Sequence, residues 1–156
     1  LTGVGNRRFA QSEFDRRLRE HVHFGIPLGL LFVDIDRFKA VNDTYGHDVG
    51  DRMLTLVARS ISSALRGADH VCRWGGEEFL AYVPGVGPTT FRRVAERIRT
   101  LVAAASLDGD GSPVRVTVSL GGCFARNDDT LDSLVARADA LMYQGKSRGR
   151  NTIIME

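Results

Sequence analysis

Residues 28–35 read Leu-Gly-Leu-Leu-Phe-Val-Asp-Ile, an almost unbroken apolar run of strand length. A strand with one wet face alternates apolar and polar residues, whereas a strand that does not alternate is covered on both faces. The chain therefore needs a sheet with a layer packed on each side of it. The run closes on Asp34-Ile35-Asp36, so two carboxylates stand where a buried strand leaves its sheet. Strand ends are where α/β sheets usually meet ligands and metals.

The flanking segments supply the layers. Asn6 reads as an N-cap, and Ala10, Phe14, Leu18 and Val22, four apart, predict the apolar face of a first helix that Gly25-Ile26-Pro27 ends. Leu54, Val57, Ala58, Ile61 and Leu65 mark a second helix over about Asp48 to Leu65. His70 to Trp74 and Glu78 to Val83 read as a hairpin around Gly75-Gly76. Phe91, Val94, Ala95, Ile98, Leu101 and Val102 mark a third helix, and Asp108 to Pro113 a loop. Val114 to Phe124 reads as a strand. Leu131, Leu134, Val135, Ala138, Leu141 and Met142 mark a last helix ended near Gly149, and Asn151 to Met155 a final strand. A hairpin inside an alternation of helices and strands argues for an α+β fold, with helices around a mixed or antiparallel sheet.

Composition narrows the class. With 156 residues, 43% of them hydrophobic and 26% charged, the chain is an ordinary single globular domain, neither disordered nor fibrous. Cys72 and Cys123 sit in apolar runs and read as buried free thiols. No apolar stretch reaches the roughly 18 residues of a membrane span, and no signal peptide opens the chain, so the cytoplasm is the expected location. A chain that starts at Leu1 rather than Met reads as a fragment of a longer protein, whose anchoring stays open. A net charge of +2 is too mild to imply nucleic-acid binding, and Arg92, Arg93, Arg97 and Arg99 form one helix's polar face with no aromatic interleaving.

Glu77 and Glu78 follow two glycines at the hairpin tip, where a ligand could approach a backbone without side chains. Together with Asp34 and Asp36 they offer two acidic clusters of hard oxygen ligands of the kind Mg²⁺ takes. Two other signals lead nowhere: Asp108-Gly-Asp-Gly111 lacks the glutamate of a calcium loop, and Gly3-Val-Gly5 lacks the third glycine of a dinucleotide site.

Arg73-Trp-Gly-Gly-Glu-Glu-Phe79 resembles the signature loop of GGDEF domains, the diguanylate cyclases. Leu1-Thr-Gly-Val-Gly-Asn-Arg-Arg8 is similar to their N-terminal segment, Asp34-Ile-Asp-Arg-Phe-Lys-Ala-Val-Asn-Asp43 to their DxDxFKxxND block, and Lys146-Ser-Arg-Gly-Arg-Asn151 to their closing KxxGRN. Tyr45-Gly-His-Asp-Val-Gly-Asp51 follows at the family's spacing, so five blocks in order span the chain. Trp74, Val4 and Gly145 depart from the commoner Tyr, Leu and Ala without removing a catalytic group.

The resemblance implies a central, mostly antiparallel five-stranded sheet surrounded by helices, like the palm of nucleotidyl cyclases and polymerases. It implies that two GTP condense to cyclic di-GMP with release of two pyrophosphates, in a homodimer that holds one GTP per protomer. It implies two Mg²⁺ (or Mn²⁺) per half-site on Asp34, the carbonyl of Ile35, Glu77 and Glu78, with Glu77 the candidate base and Glu78 the firmer ligand, roles the adjacent pair could exchange. Phe38, Asn42, His47, Asp51, Gly75 and Gly76 fall at nucleotide-binding positions, with Asn42 and Asp51 reading guanine. A carboxylate at Asp51 accepts from guanine N1–H and N2–H₂, donors adenine lacks, which argues against a cyclase joining GTP with ATP.

Nineteen of the 21 basic residues are Arg, and the only two Lys, Lys39 and Lys146, fall at the family's lysine positions as charges for the phosphates, with Arg150 beside Lys146. Arg66-Gly-Ala-Asp69 resembles the family's RxxD inhibitory site for cyclic di-GMP, with Arg97 as its second arginine. The competing expectation is a catalytically silent module that senses cyclic di-GMP or GTP. Asp36 maps to no site role and is expected to cap the next turn.

Overall fold

A computed structural model describes residues 1–108 and 111–156. The expected loop over 108–113, with its calcium-like acidic pattern, falls partly outside the described residues. In chain order the elements are α1 (Arg7–Phe24), β1 (Leu28–Ile35), α2 (Phe38–Tyr45), α3 (His47–Ala64), β2 (His70–Gly75), β3 (Glu78–Pro84), α4 (Pro88–Ala104), β4 (Val118–Phe124), α5 (Leu131–Ser147) and β5 (Ile153–Met155). The strands form one sheet in the order β2-β3-β1-β4-β5. Every neighbouring pair is antiparallel except β4 and β5. This is the mostly antiparallel five-stranded α+β architecture read from the sequence.

The position of β1 explains its composition. It is the middle strand, and every one of its residues is buried. Leu31, Val33 and Ile35 face a core shared with α3 and α4, while Leu28, Leu30 and Phe32 face a second core shared with α1 and α5. Successive side chains point to opposite faces, so a non-alternating run fills both cores at once. Asp34 and Asp36 fall on the α1/α5 side of that alternation. Helix α5 comes very close to the sheet: a Cβ on Gly121 of β4 would run into the backbone of Ala138 and Met142. That approach sets the height of Lys146 in the last turn of α5.

Asn6 does cap α1, its side chain accepting from the Phe9 N–H at 2.9 Å. The four-residue repeat drifts off the helix axis by about 40° per step, because a turn takes 3.6 residues. Ala10 and Phe14 are therefore buried, Leu18 is half-buried and Val22 is exposed.

The structure departs from the sequence reading in several places, and β5 begins at Ile153 rather than Asn151. Helix α2 was not expected; it has eight residues and only Phe38 and Val41 buried, too few to show a period. Strand β4 begins at Val118 rather than Val114. Its partner β1 ends at Ile35, opposite Val118, so the chain before it leaves the ladder and Val114 bridges Leu107 instead. No side chain caps α2: its N-cap is Arg37, and Asp36 has other partners. Among the described residues no helix is long and apolar enough to cross a membrane.

Candidate active site

The hairpin β2–β3 turns at Gly76 and Glu77, with Gly75 paired to Glu78 and a register shift between Arg73 and Gly75. In the neighbouring ladder Glu78 lies directly opposite Asp34, and the Ile35 N–H donates to the Glu77 carbonyl at 3.3 Å. Cross-strand partners project to the same face. Two carboxylates far apart in the chain, Asp34 and Glu78, thus meet beside the carbonyl of Ile35. Neither Gly75 nor Gly76 has a positive φ, and a Cβ on Gly76 would meet nothing within 4 Å. The fold itself makes no demand for glycine at position 76.

Asp34 is 5% exposed. Burial pushes its carboxyl up to about 6, the charges of Glu77 and Glu78 add to this, and Lys146 opposes it. Lys146 Nζ stands 2.6 Å from Asp34 Oδ1. That oxygen receives no hydrogen bond of good geometry from any described residue. Burial, followed by the charges of Asp139 and Glu77, also pushes Glu78 up against the pull of Lys146. Concentrated, partly desolvated negative charge of this kind is relieved by a cation. No group of three or more His, Cys, Asp or Glu side chains among the described residues forms a ready metal cage. Asp34, Glu78 and a backbone carbonyl nevertheless fit Mg²⁺, which keeps waters or phosphate oxygens in most of its positions.

A cleft of about 470 Å³ beside the hairpin tip is lined by Phe38, Lys39, Asn42, His47, Asp51, Leu54, Arg73, Gly76 and Glu77. Its volume suits a nucleotide. Helices α2 and α3 bring Asn42 and Asp51 to one wall, and a Cβ on Gly50 would displace the Asn42 side-chain oxygen from its present place. Seven of the expected nucleotide and catalytic residues therefore share one cleft. Gly75 lines a neighbouring cleft of about 410 Å³ with the N-terminal segment, where the Arg7 guanidinium lies 4.2 Å from the centre of the Trp74 ring. Arg150 lies on the other side of α2, in a cleft of about 690 Å³ with Arg37, Thr44 and Arg115.

Arg66, Asp69 and Arg97 lie outside these clefts. Arg66 Nε donates to Asp69 Oδ1 at 3.1 Å, and its Nη2 to the Pro84 carbonyl at 2.5 Å. Arg97 Nη2 donates to the Ser63 carbonyl at 3.3 Å, which places it by the end of α3 that leads to Arg66. The sequence reading assigned no role to Arg73, although it lines the nucleotide-sized cleft and its Nε and Nη2 donate to the Gly76 carbonyl at 3.0 and 2.7 Å. Its place just before Trp74-Gly75-Gly76 was the available signal. Gly50 was missed for another reason: its role is a steric one between two helices.

The family model described as "Diguanylate cyclase, GGDEF domain" matches residues 1–152. The response regulator PleD of Caulobacter vibrioides is 38% identical over 157 residues, covering 99% of this chain and 35% of PleD. Diguanylate cyclase SiaD of Pseudomonas aeruginosa, solved with its activator SiaC, superposes with a TM-score of 0.96 at 36% identity, over 99% of this chain and 60% of SiaD. The GGDEF domain of DgcB from Caulobacter crescentus, solved with c-di-GMP, gives 0.92 at 32% identity, over 99% of this chain and 89% of that one. The chain spans about a third of the length of the curated relatives it matches.

Proposed function

The chain belongs to the GGDEF family of diguanylate cyclases, and on that premise we propose that it condenses two GTP into cyclic di-GMP and two pyrophosphates. The observation that carries this reading is Asp34 opposite Glu78, next to Glu77, which lines a cleft with Lys39, Asn42 and Asp51. Two such half-sites face each other in a homodimer, one GTP in each. Asn42 and Asp51 hold the guanine edge, and Phe38 and His47 border it. Lys39, Lys146 and Arg150 hold the phosphates. Glu77 takes the proton from a 3′-hydroxyl as its oxygen bonds to the α-phosphorus of the opposite GTP. The bond from that phosphorus to the β-phosphate oxygen breaks, and pyrophosphate leaves with the electron pair. The second attack is the same step with the nucleotides exchanged. Mg²⁺ or Mn²⁺, two per half-site, bound by Asp34, the Ile35 carbonyl, Glu77 and Glu78, would neutralise charge on the triphosphate. Phosphoryl transfer of this kind depends on positioning and charge stabilisation more than on covalent help. Open space at Gly76 leaves room for a bulky nucleotide at the hairpin tip.

Arg66, Asp69 and Arg97 form the proposed inhibitory site for cyclic di-GMP. The Arg66 side chain is 51% exposed, so its guanidinium can turn to a phosphate or a guanine edge.

The test is incubation of the purified domain at high concentration with Mg²⁺ and GTP, reading cyclic di-GMP and pyrophosphate by chromatography and mass spectrometry. Product from GTP and not from ATP, absent in Glu78→Ala, supports the cyclase. Specific activity should rise steeply with protein concentration. Tight cyclic di-GMP binding without product, even in an enforced dimer, would make the domain a sensor instead.

A further inference from the structure

Asp36 has no part in the chemistry above, yet it is 4% exposed and bonded on both oxygens. Thr117 Oγ1 donates to its Oδ2 at 2.6 Å, Ser119 Oγ to its Oδ1 at 2.7 Å, and the Asn151 backbone N–H to its Oδ2 at 2.9 Å. One buried carboxylate thus ties the end of β1 to the chain entering β4 and to the chain entering β5. Burying a charge is costly, and a well-packed apolar residue stabilises a core as well or better. A carboxylate retained here needs a reason beyond stability.

The third bond supplies that reason. Asn151 is one peptide from Arg150, and both are left-handed, with φ of 45° and 66°. Non-glycine residues are strained in that region, Arg more than Asn, and persist there where their surroundings over-determine them. Asp36 holds the Asn151 N–H, Arg99 Nη1 donates to the Asn151 side-chain oxygen at 2.9 Å, and the Arg150 N–H donates to the Gly145 carbonyl at 3.2 Å. Asp34 and Asp36 lie on one face of the same strand end, two residues apart. Asp34 meets Lys146 in the last turn of α5, just before the connection to β5, and Asp36 meets Asn151 near the end of that connection. The whole connection is moored to the end of β1 at both of its ends.

We propose that Asp36 is a positioning residue for substrate phosphate binding. By fixing the Asn151 backbone it holds Arg150 in its left-handed conformation, so that the guanidinium stands where the triphosphate arrives. This inference rests on the proposed binding of GTP. It separates Arg150 from the guanine subsite, because Asn42 and Asp51 line the cleft on the opposite side of α2.

The experiment compares affinities for 3′-deoxy-GTP, which lacks the attacking hydroxyl and cannot condense, and for GMP, both with Mg²⁺, by calorimetry. Asp36→Ala should weaken 3′-deoxy-GTP binding about ten-fold or more, the scale of one charge-assisted contact, with GMP binding changed less than about two-fold. Asp36→Asn should keep the triphosphate affinity. Its amide oxygen can accept from Thr117 and Asn151, and its amide nitrogen can donate to the Ser119 hydroxyl. If Asp36→Ala does not fold, Asp36→Ser replaces it, since a short hydroxyl cannot span the three donors. An unchanged ratio of the two affinities in a folded variant, or an equal loss of both, would overturn the positioning role. A wild-type domain that binds the triphosphate no better than GMP would instead overturn the proposed function, and this inference with it.

Discussion

Two buried carboxylates, one packed against the edge strand β2 and one on the middle strand β1, are shifted in opposite directions by their surroundings. Glu13 of α1, 4% exposed, faces the edge strand β2. Burial pushes its carboxyl up, but hydrogen bonds from Arg16 and Arg17, then the charges of His70 and Arg16, outweigh it and hold the group below its ordinary value. Asp34 is equally buried, has one lysine, and faces Glu77 and Glu78; here burial wins and the carboxyl rises to about 6. Arg17 also donates to the Ala68 carbonyl at 2.9 Å, so the Glu13 cluster clips α1 to the chain leading into β2. The first cluster is a finished structural joint. The second is an unfinished one, and an incomplete charge balance at a strand end is what a cation-dependent site requires.

The largest expected effect concerns Asp34. Asp34→Asn should lower cyclic di-GMP formation roughly a thousand-fold or more, the scale of losing metal-assisted charge stabilisation. The same variant should melt at a higher temperature than the wild type in metal-free buffer at neutral pH. A folded-state value of about 6, above the ordinary 3.8, means that the native state binds the proton more tightly, so stability falls as pH rises from about 4 to 6 and stays low above. An unchanged or lower melting temperature in Asp34→Asn would break the comparison. Activity retained in that variant would remove Asp34 from the site.

Glu13→Ala should destabilise by roughly 1–3 kcal/mol in denaturant titrations, because Arg17, only 12% exposed, is left with Glu20 as its one carboxylate partner. The activity per folded molecule should stay unchanged. A neutral Glu13→Ala would mean that the cluster is a solvated ornament rather than a joint.

A smaller effect separates the two by pH. The Glu13 contribution is fully present above about 4.5 and is lost as pH falls through its lower folded-state value. Glu13→Gln should therefore flatten the acid limb of a stability–pH curve, whereas Asp34→Asn should flatten the limb between 4 and 6. Smallest is the metal effect on the free protein. Mg²⁺ should raise the melting temperature by a degree or two, and more strongly as pH rises through about 6, since Asp34 must lose its proton to bind. Equal Mg²⁺ stabilisation in Asp34→Asn would place the ion elsewhere.

Much of this was legible in the sequence. The run of residues 28–35 dictated a strand covered on both faces, and that strand is the centre of the sheet. Glycines at 75 and 76 before Glu77 and Glu78 announced a tight turn with carboxylates at its tip, and the turn is there. Helix α2 was not legible, because two buried residues in eight make no period. The partners of Asp36 were not legible either, since they lie 81, 83 and 115 residues away.

The sequence by itself determined which residues can be buried, which can turn and which can carry charge, because apolar spacing, caps and glycines act over a few residues. Tertiary structure alone decided how deeply these carboxylates are buried and which distant charges they meet. Glu13 meets two arginines from its own helix and a histidine from β2, whereas Asp34 meets one lysine from a helix more than a hundred residues away. The same residue type becomes a joint or a reactive group according to the charges that packing brings within a few ångströms. The i+3 and i+4 arginines of Glu13 are a local pattern, but none encodes the approach of Lys146 to Asp34.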